Sequence, residues 1–188
     1  MSRGNPSDSL APLRSATMVT LSFGRNVRDV HPAVRTLTFD NLVKEFSVPD
    51  TRRSRLTSAQ YHALEREAKQ VEKNGRYFSV ATYAPGGTRQ DTNVDEIQGF
   101  ALDFDSGKTR RADIVETLKG YTFVAYTSYS HRPDCERWRV FIPFREPISK
   151  ERFKDVYDCF KLLFGGDLDP RCAVPSQAWY TPACPHDT

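Results

Sequence analysis

With 188 residues, 38% of them hydrophobic and 27% charged, the chain can bury one sizeable core but not two, and it is too polar for a membrane protein. No apolar run approaches the ~20 residues that span a bilayer, and Met1-Ser2-Arg3-Gly4-Asn5-Pro6 lacks the hydrophobic stretch of a secretion signal, so a cytoplasmic location is expected. The formal net charge of +3 neither demands nor excludes nucleic-acid binding, which depends on how the arginines are distributed.

Residues 1 to 16, rich in Ser, Pro, Gly and Arg, read as a flexible tail ahead of a single domain over 17–188. Met18 to Phe23 alternates as a first strand, and Phe39 to Phe46 is a short helix that must end before Pro49. Arg52-Arg53-Ser54-Arg55 is a basic loop, read as a solvated linker or a contact to a phosphate backbone. Thr57 to Gln60 has the form of a capping box. It predicts one helix with Tyr61, Leu64, Ala68 and Val71 along an apolar face, stopped by Asn74-Gly75. A strand over Tyr77 to Tyr83 and the Pro85-Gly86-Gly87 turn lead to the apolar run Ile97 to Leu102. Thr109 to Leu118 reads as a helix, Tyr121 to Ser128 as a strand, and Trp138 to Phe144 as its hairpin partner. Ser149 begins a last helix through Phe164, and Gln177 to Tyr180 is a final short strand. The pattern predicts an α+β fold with a mixed or antiparallel sheet and helices on one face.

The chemistry concentrates where the apolar run ends, at Asp103-Phe104-Asp105. Period-two alternation projects both carboxylates from one strand face and Phe104 toward the core, and Ser106-Gly107 ends the strand. That is half of a divalent-metal site. Asp169, ahead of a backbone fixed by Pro170, is the candidate third acid, with Asp167 in reserve. Ser128, Ser130 and His131 close one strand of the predicted hairpin, and Arg137 and Arg139 share a face of the next, so a basic neighbourhood forms. Acids for metal ions beside imidazole and guanidinium donors are what a phosphate-bearing ligand needs. Cys135, Cys159, Cys172 and Cys184 contain no CxxC pair. Cys172, Cys184 and His186 are therefore read as ordinary residues rather than zinc ligands.

These motifs resemble the catalytic domain of the archaeo-eukaryotic primase superfamily, in the forms carried by phages, plasmids and related mobile elements. The resemblance runs through Asp103-Phe104-Asp105, Ser128-Tyr129-Ser130-His131, Arg137-Trp138-Arg139-Val140 and Asp169 ahead of Trp179-Tyr180, over about residues 77–185. It implies an RRM-like palm over 77–185 with 17–76 as an N-terminal subregion. It further implies two Mg²⁺ or Mn²⁺ ions held by Asp103, Asp105 and Asp169, and nucleotide phosphates met by Ser130, His131, Arg137 and Arg139. The implied activity is DNA primase or primase-polymerase chemistry on single-stranded DNA with NTPs or dNTPs. A replicative helicase or fused C-terminal modules are the implied partners, and the chain is expected to be part of a longer replication protein. One departure stands out: Tyr129 occupies the position usually held by serine, two residues before the histidine, with Ser128 and Ser130 flanking it.

Three other readings compete. Ser106-Gly107-Lys108-Thr109 resembles the end of a phosphate-binding loop, but Leu102 stands where that motif needs glycine. A rolling-circle initiator or relaxase needs two histidines one residue apart, and His31, His62, His131 and His186 offer none. A non-catalytic single-strand-binding module with an RRM-like sheet is opposed by the three candidate acids.

Overall fold

The computed structural model describes residues 17–50 and 55–187; the predicted tail over 1–16 and Arg52, Arg53 and Ser54 of the basic loop lie outside them. The described residues form eight strands and five α-helices, with every strand pair antiparallel. β1 (Met18–Gly24) pairs with β2 (Ala33–Thr38), whose last residue, Thr38, caps α1 (Phe39–Phe46) by accepting from the Asn41 N–H. Two short helices, α2 (Ser58–Ala63) and α3 (Arg66–Glu72), precede β3 (Tyr77–Ser79) and β4 (Ala81–Tyr83). Then come β5 (Val94–Phe104), α4 (Arg111–Thr117), β6 (Val124–Thr127), β7 (Trp138–Ile148), α5 (Lys150–Leu163) and β8 (Trp179–Tyr180).

Instead of the expected single sheet there are two, ordered β2-β1-β3-β8 and β4-β5-β7-β6. The cause is a bend at Val80, which cuts the predicted strand Tyr77 to Tyr83 in two and passes the chain from one sheet to the other. Ser79 and Val80 are buried at this crossing, and the Ser22 hydroxyl donates to the Ala81 carbonyl, so the transfer leaves little polar surface unsatisfied. The predicted helix after Thr57 is also divided. The capping box forms as read, but Leu64 and Glu65 are extended, and Tyr61 is the one residue of the predicted apolar face that is buried.

Nor do the helices share one face. Phe100 of β5 lies against Phe153 and Phe160 of α5 at centroid distances of 5.2 and 5.0 Å, and Phe104 meets Phe164, so α5 covers the even-numbered face. On the opposite side Phe46 of α1 wedges between Phe78 and Tyr126, both 5.3 Å away. The central strands are thus buried on both faces, which is why β5 reads as an unbroken apolar run. One hydrophobic cluster extends from Val19 and Leu21 through both sheets to Trp179.

Candidate metal and nucleotide site

The site grows out of the β5–β7 pairing. In this register Asp103 stands directly opposite Arg139, and two residues further on Arg137 reaches Asp105 at 3.8 Å. The Asp-x-Asp of one strand and the Arg-x-Arg of its neighbour therefore form a cross-strand ladder of opposite charges on one sheet face. The third acid arrives from after α5. The Asp169 N–H donates to the Asp103 carbonyl at 3.1 Å, and the Asp169 carboxylate caps the 3-10 turn Pro170–Ala173. As a result Asp103, Asp105 and Asp169 each bring a carboxylate oxygen within 4.8 Å of the others. Asp167 stays apart: its Oδ2 accepts from the Thr109 N–H and hydroxyl at 3.1 and 2.6 Å, which anchors the Ser106 to Thr109 turn.

Each of the three acids has an arginine. Arg139 donates from Nε and Nη2 to Asp103 at 3.0–3.2 Å and from Nη1 to the Tyr180 carbonyl at 3.0 Å; both partners are almost wholly buried. The donors of Arg139, expected from the sequence to meet phosphates, are engaged by Asp103 and by β8 in this structure. Arg171 grips both carboxylate oxygens of Asp169, while Arg137 and Asp105 form a longer, more exposed pair. Burial pushes the Asp103 carboxyl above its ordinary value, Arg139 opposes that shift, and the charges of Asp105 and Asp169 reinforce it. Burial also acts upward on Asp169, but the Arg171 hydrogen bonds outweigh it and leave Asp169 below the usual carboxylate range.

Asp103 and Asp105 line a cleft of about 280 Å³, near the lower end of the range for ligand sites. Its wall carries Lys73, Arg76, Arg89, Arg137, Arg139 and Arg171 against Asp50 and Glu72 as further acids, so the site as a whole favours an anion. Tyr126, Ser128, Tyr129 and Ser130 come from β6 and the hairpin turn. The Ser130 hydroxyl bonds Tyr61 at 2.7 Å, and the buried Ser128 hydroxyl has no partner among the described residues. His131 is not part of this wall. Its Nδ1 accepts from the Arg137 N–H at 3.2 Å and its ring abuts Trp138, so it braces the hairpin turn. Sequence reasoning missed Lys73, Arg76, Arg89 and Arg171. Only Arg171 carried a local signal, as the residue whose N–H an N-capping Asp169 accepts.

The fold and site together define a two-sheet α+β protein with an acidic triad set in a cationic cleft. The model of the VapE N-terminal domain matches residues 7–161, and the chain belongs to that family. The family is a domain of phage and plasmid VapE replication proteins, which ties the chain to mobile-element replication. The match includes Asp103, Asp105 and both arginines of β7 and its approach, and it stops short of Asp169. Neither the curated proteins nor the solved structures contain a match. Among the described residues no helix is long and apolar enough to cross a membrane.

Proposed function

We propose that this domain catalyses template-dependent nucleotidyl transfer on single-stranded DNA, as the primase or primase-polymerase component of a mobile-element replication protein. The observation that carries the reading is the meeting of Asp103, Asp105 and Asp169, from segments more than 60 residues apart, beside a cation-lined cleft. The order β5-α4-β6-β7-α5, with β7 between β5 and β6, supports it, since that order agrees with the βαββα core expected of an RRM-like palm. The place beside β5 that a following strand would fill in that palm is taken by β4.

An all-carboxylate donor set suits Mg²⁺ or Mn²⁺. Bound ions at Asp103, Asp105 and Asp169 supply activation of a 3′-hydroxyl and neutralisation of the triphosphate. The protein's own part is to hold the acids and to meet the phosphates. Arg139 fixes Asp103 in place, while the more exposed Arg137 and Arg171 are positioned to turn from their acids toward phosphate oxygens. His131 steadies the Arg137 backbone and thereby the direction of that side chain.

A second reading, a single-strand-binding module without catalysis, is favoured by one feature: all three acids already have arginine partners and are neutralised without a metal. One experiment separates the two. The protein is incubated with single-stranded template, NTPs or dNTPs, and Mn²⁺, and extended or primed products are compared between wild type and Asp105→Ala. Product from wild type alone is expected. Equal product from both rejects the catalytic assignment, and single-strand binding that persists in chelator with no product from either supports the binding module.

A further inference from the structure

Five of the six cations on the cleft wall have partners. Arg137, Arg139 and Arg171 hold Asp105, Asp103 and Asp169; Arg76 holds Glu45; and Arg89 donates to the Val27 and Ser176 carbonyls and to the Tyr77 hydroxyl. The exception is Lys73. Its ammonium makes no hydrogen bond or ion pair among the described residues, although the residue is partly buried. A cleft-lining ammonium that is bonded to no neighbouring group has its donors open to an arriving anion.

Lys73 is also held in place. It is the C-cap of α3, and its own N–H bonds back to the Lys69 and Val71 carbonyls. The next residue, Asn74, accepts from the Val27 N–H at 3.1 Å. At the other end the Tyr61–Ser130 bond, the edge contact of Tyr61 with Tyr129 at 4.8 Å, and the Tyr129–Glu72 bond clasp α2 and α3 to the hairpin. Burial depresses the ammonium's proton affinity, while Asp105 and Asp103 support it from nearby.

We propose that Lys73 is the anchoring contact of a polyphosphate subsite in this cleft, built by the α2–α3 unit and facing the acidic triad. The ligand class is a linear di- or triphosphate, the tail of a nucleotide. Arg171 joins the subsite when its carboxylate partner is taken up elsewhere. This inference rests on the proposed function for its biological meaning, but its binding prediction stands independently of turnover.

The test is calorimetric titration of the full chain with inorganic tripolyphosphate in EDTA, and separately with Mn²⁺ alone. Wild type is expected to bind tripolyphosphate. Lys73→Met is expected to lose about 10- to 100-fold in affinity, the loss of one charge-assisted hydrogen bond, with Lys73→Arg retaining most of it. Lys69→Met, a lysine of α3 that does not line the cleft, is expected to bind as wild type, and Mn²⁺ affinity is expected to be kept in Lys73→Met. Thermal midpoints check folding, and removing an unpaired charge is expected to leave them unchanged or raised. No tripolyphosphate binding by wild type, equal binding by Lys73→Met, or an equal loss in Lys69→Met overturns the proposal. A subsite that behaves as expected in a protein that makes no product leaves this inference intact and removes the polymerase reading.

Discussion

Asp103→Ala is expected to act first on stability, and the two aspartates of the motif are expected to part company in this respect. Arg139 is buried and makes three hydrogen bonds to Asp103 at 3.0–3.2 Å, so removing that carboxylate leaves a buried guanidinium without the charged partner it is bonded to. Breaking one side of such a pair costs about 3–5 kcal/mol. For a chain of this size each kcal/mol lowers the melting temperature by about 2–4 °C, so a fall of about 6–20 °C follows. Asp105 and Arg137 are 3.8 Å apart with side chains 41% and 34% exposed. A pair of that kind is worth about 0–1 kcal/mol, and losing Asp105 also relieves repulsion on Asp103. Asp105→Ala is therefore expected to melt within about 3 °C of wild type by circular dichroism. Replacing both members, as Asp103→Leu with Arg139→Met, is expected to recover much of the loss, because the unpaired charge goes with its partner. Equal melting temperatures for Asp103→Ala and Asp105→Ala would refute the burial argument. The contrast also makes Asp105→Ala the cleaner probe of catalysis, since inactivity of Asp103→Ala can follow from unfolding.

Two further outcomes test other parts of the structure. A Cβ on Gly99 would lie 2.5 Å from the Phe141 ring and 2.6 Å from the Ile142 carbonyl oxygen, so Gly99→Ala is expected to destabilise by about 1–3 kcal/mol in urea unfolding; a neutral result would mean that β5 and β7 are not so closely apposed. The bidentate Arg35 contact, aided by Arg76 against the cost of burial, holds the Glu45 carboxyl below 4.5. Because the folded-state value is depressed, this contribution is present above the unfolded value and is lost as pH falls through the folded one. Stability measured from pH 6 down to about 3 should thus decline less steeply in Glu45→Gln than in wild type. Parallel curves would show that the pair is not coupled to folding.

Local sequence carried the elements whose signals are local. The alternation of Met18 to Phe23, the Thr57 capping box, the helix from Lys150 and the β6–β7 hairpin all follow from side-chain periodicity and end chemistry, which act within a few residues. The metal-site candidates were legible for the same reason: Asp-x-Asp and Arg-x-Arg each fix a strand face by themselves. Where those faces point was not legible. That β7 rather than β6 lies beside β5, in the one register that sets Asp103 against Arg139, depends on pairing segments about 36 residues apart. A slip of one residue would have turned the arginines to the opposite face. The bend at Val80 and the break at Leu64–Glu65 likewise answer to packing, because the chain must change sheets at one and redirect α3 toward the cleft at the other. Pairing of Asp169 with Arg171 was within reach of the sequence, but its arrival beside Asp103 was not. Lys73 shows the same limit in its sharpest form. Nothing in its neighbourhood of the chain sets it apart from the other lysines, and only the tertiary fold places it on the cleft wall with no hydrogen-bond or ion-pair partner among the described residues.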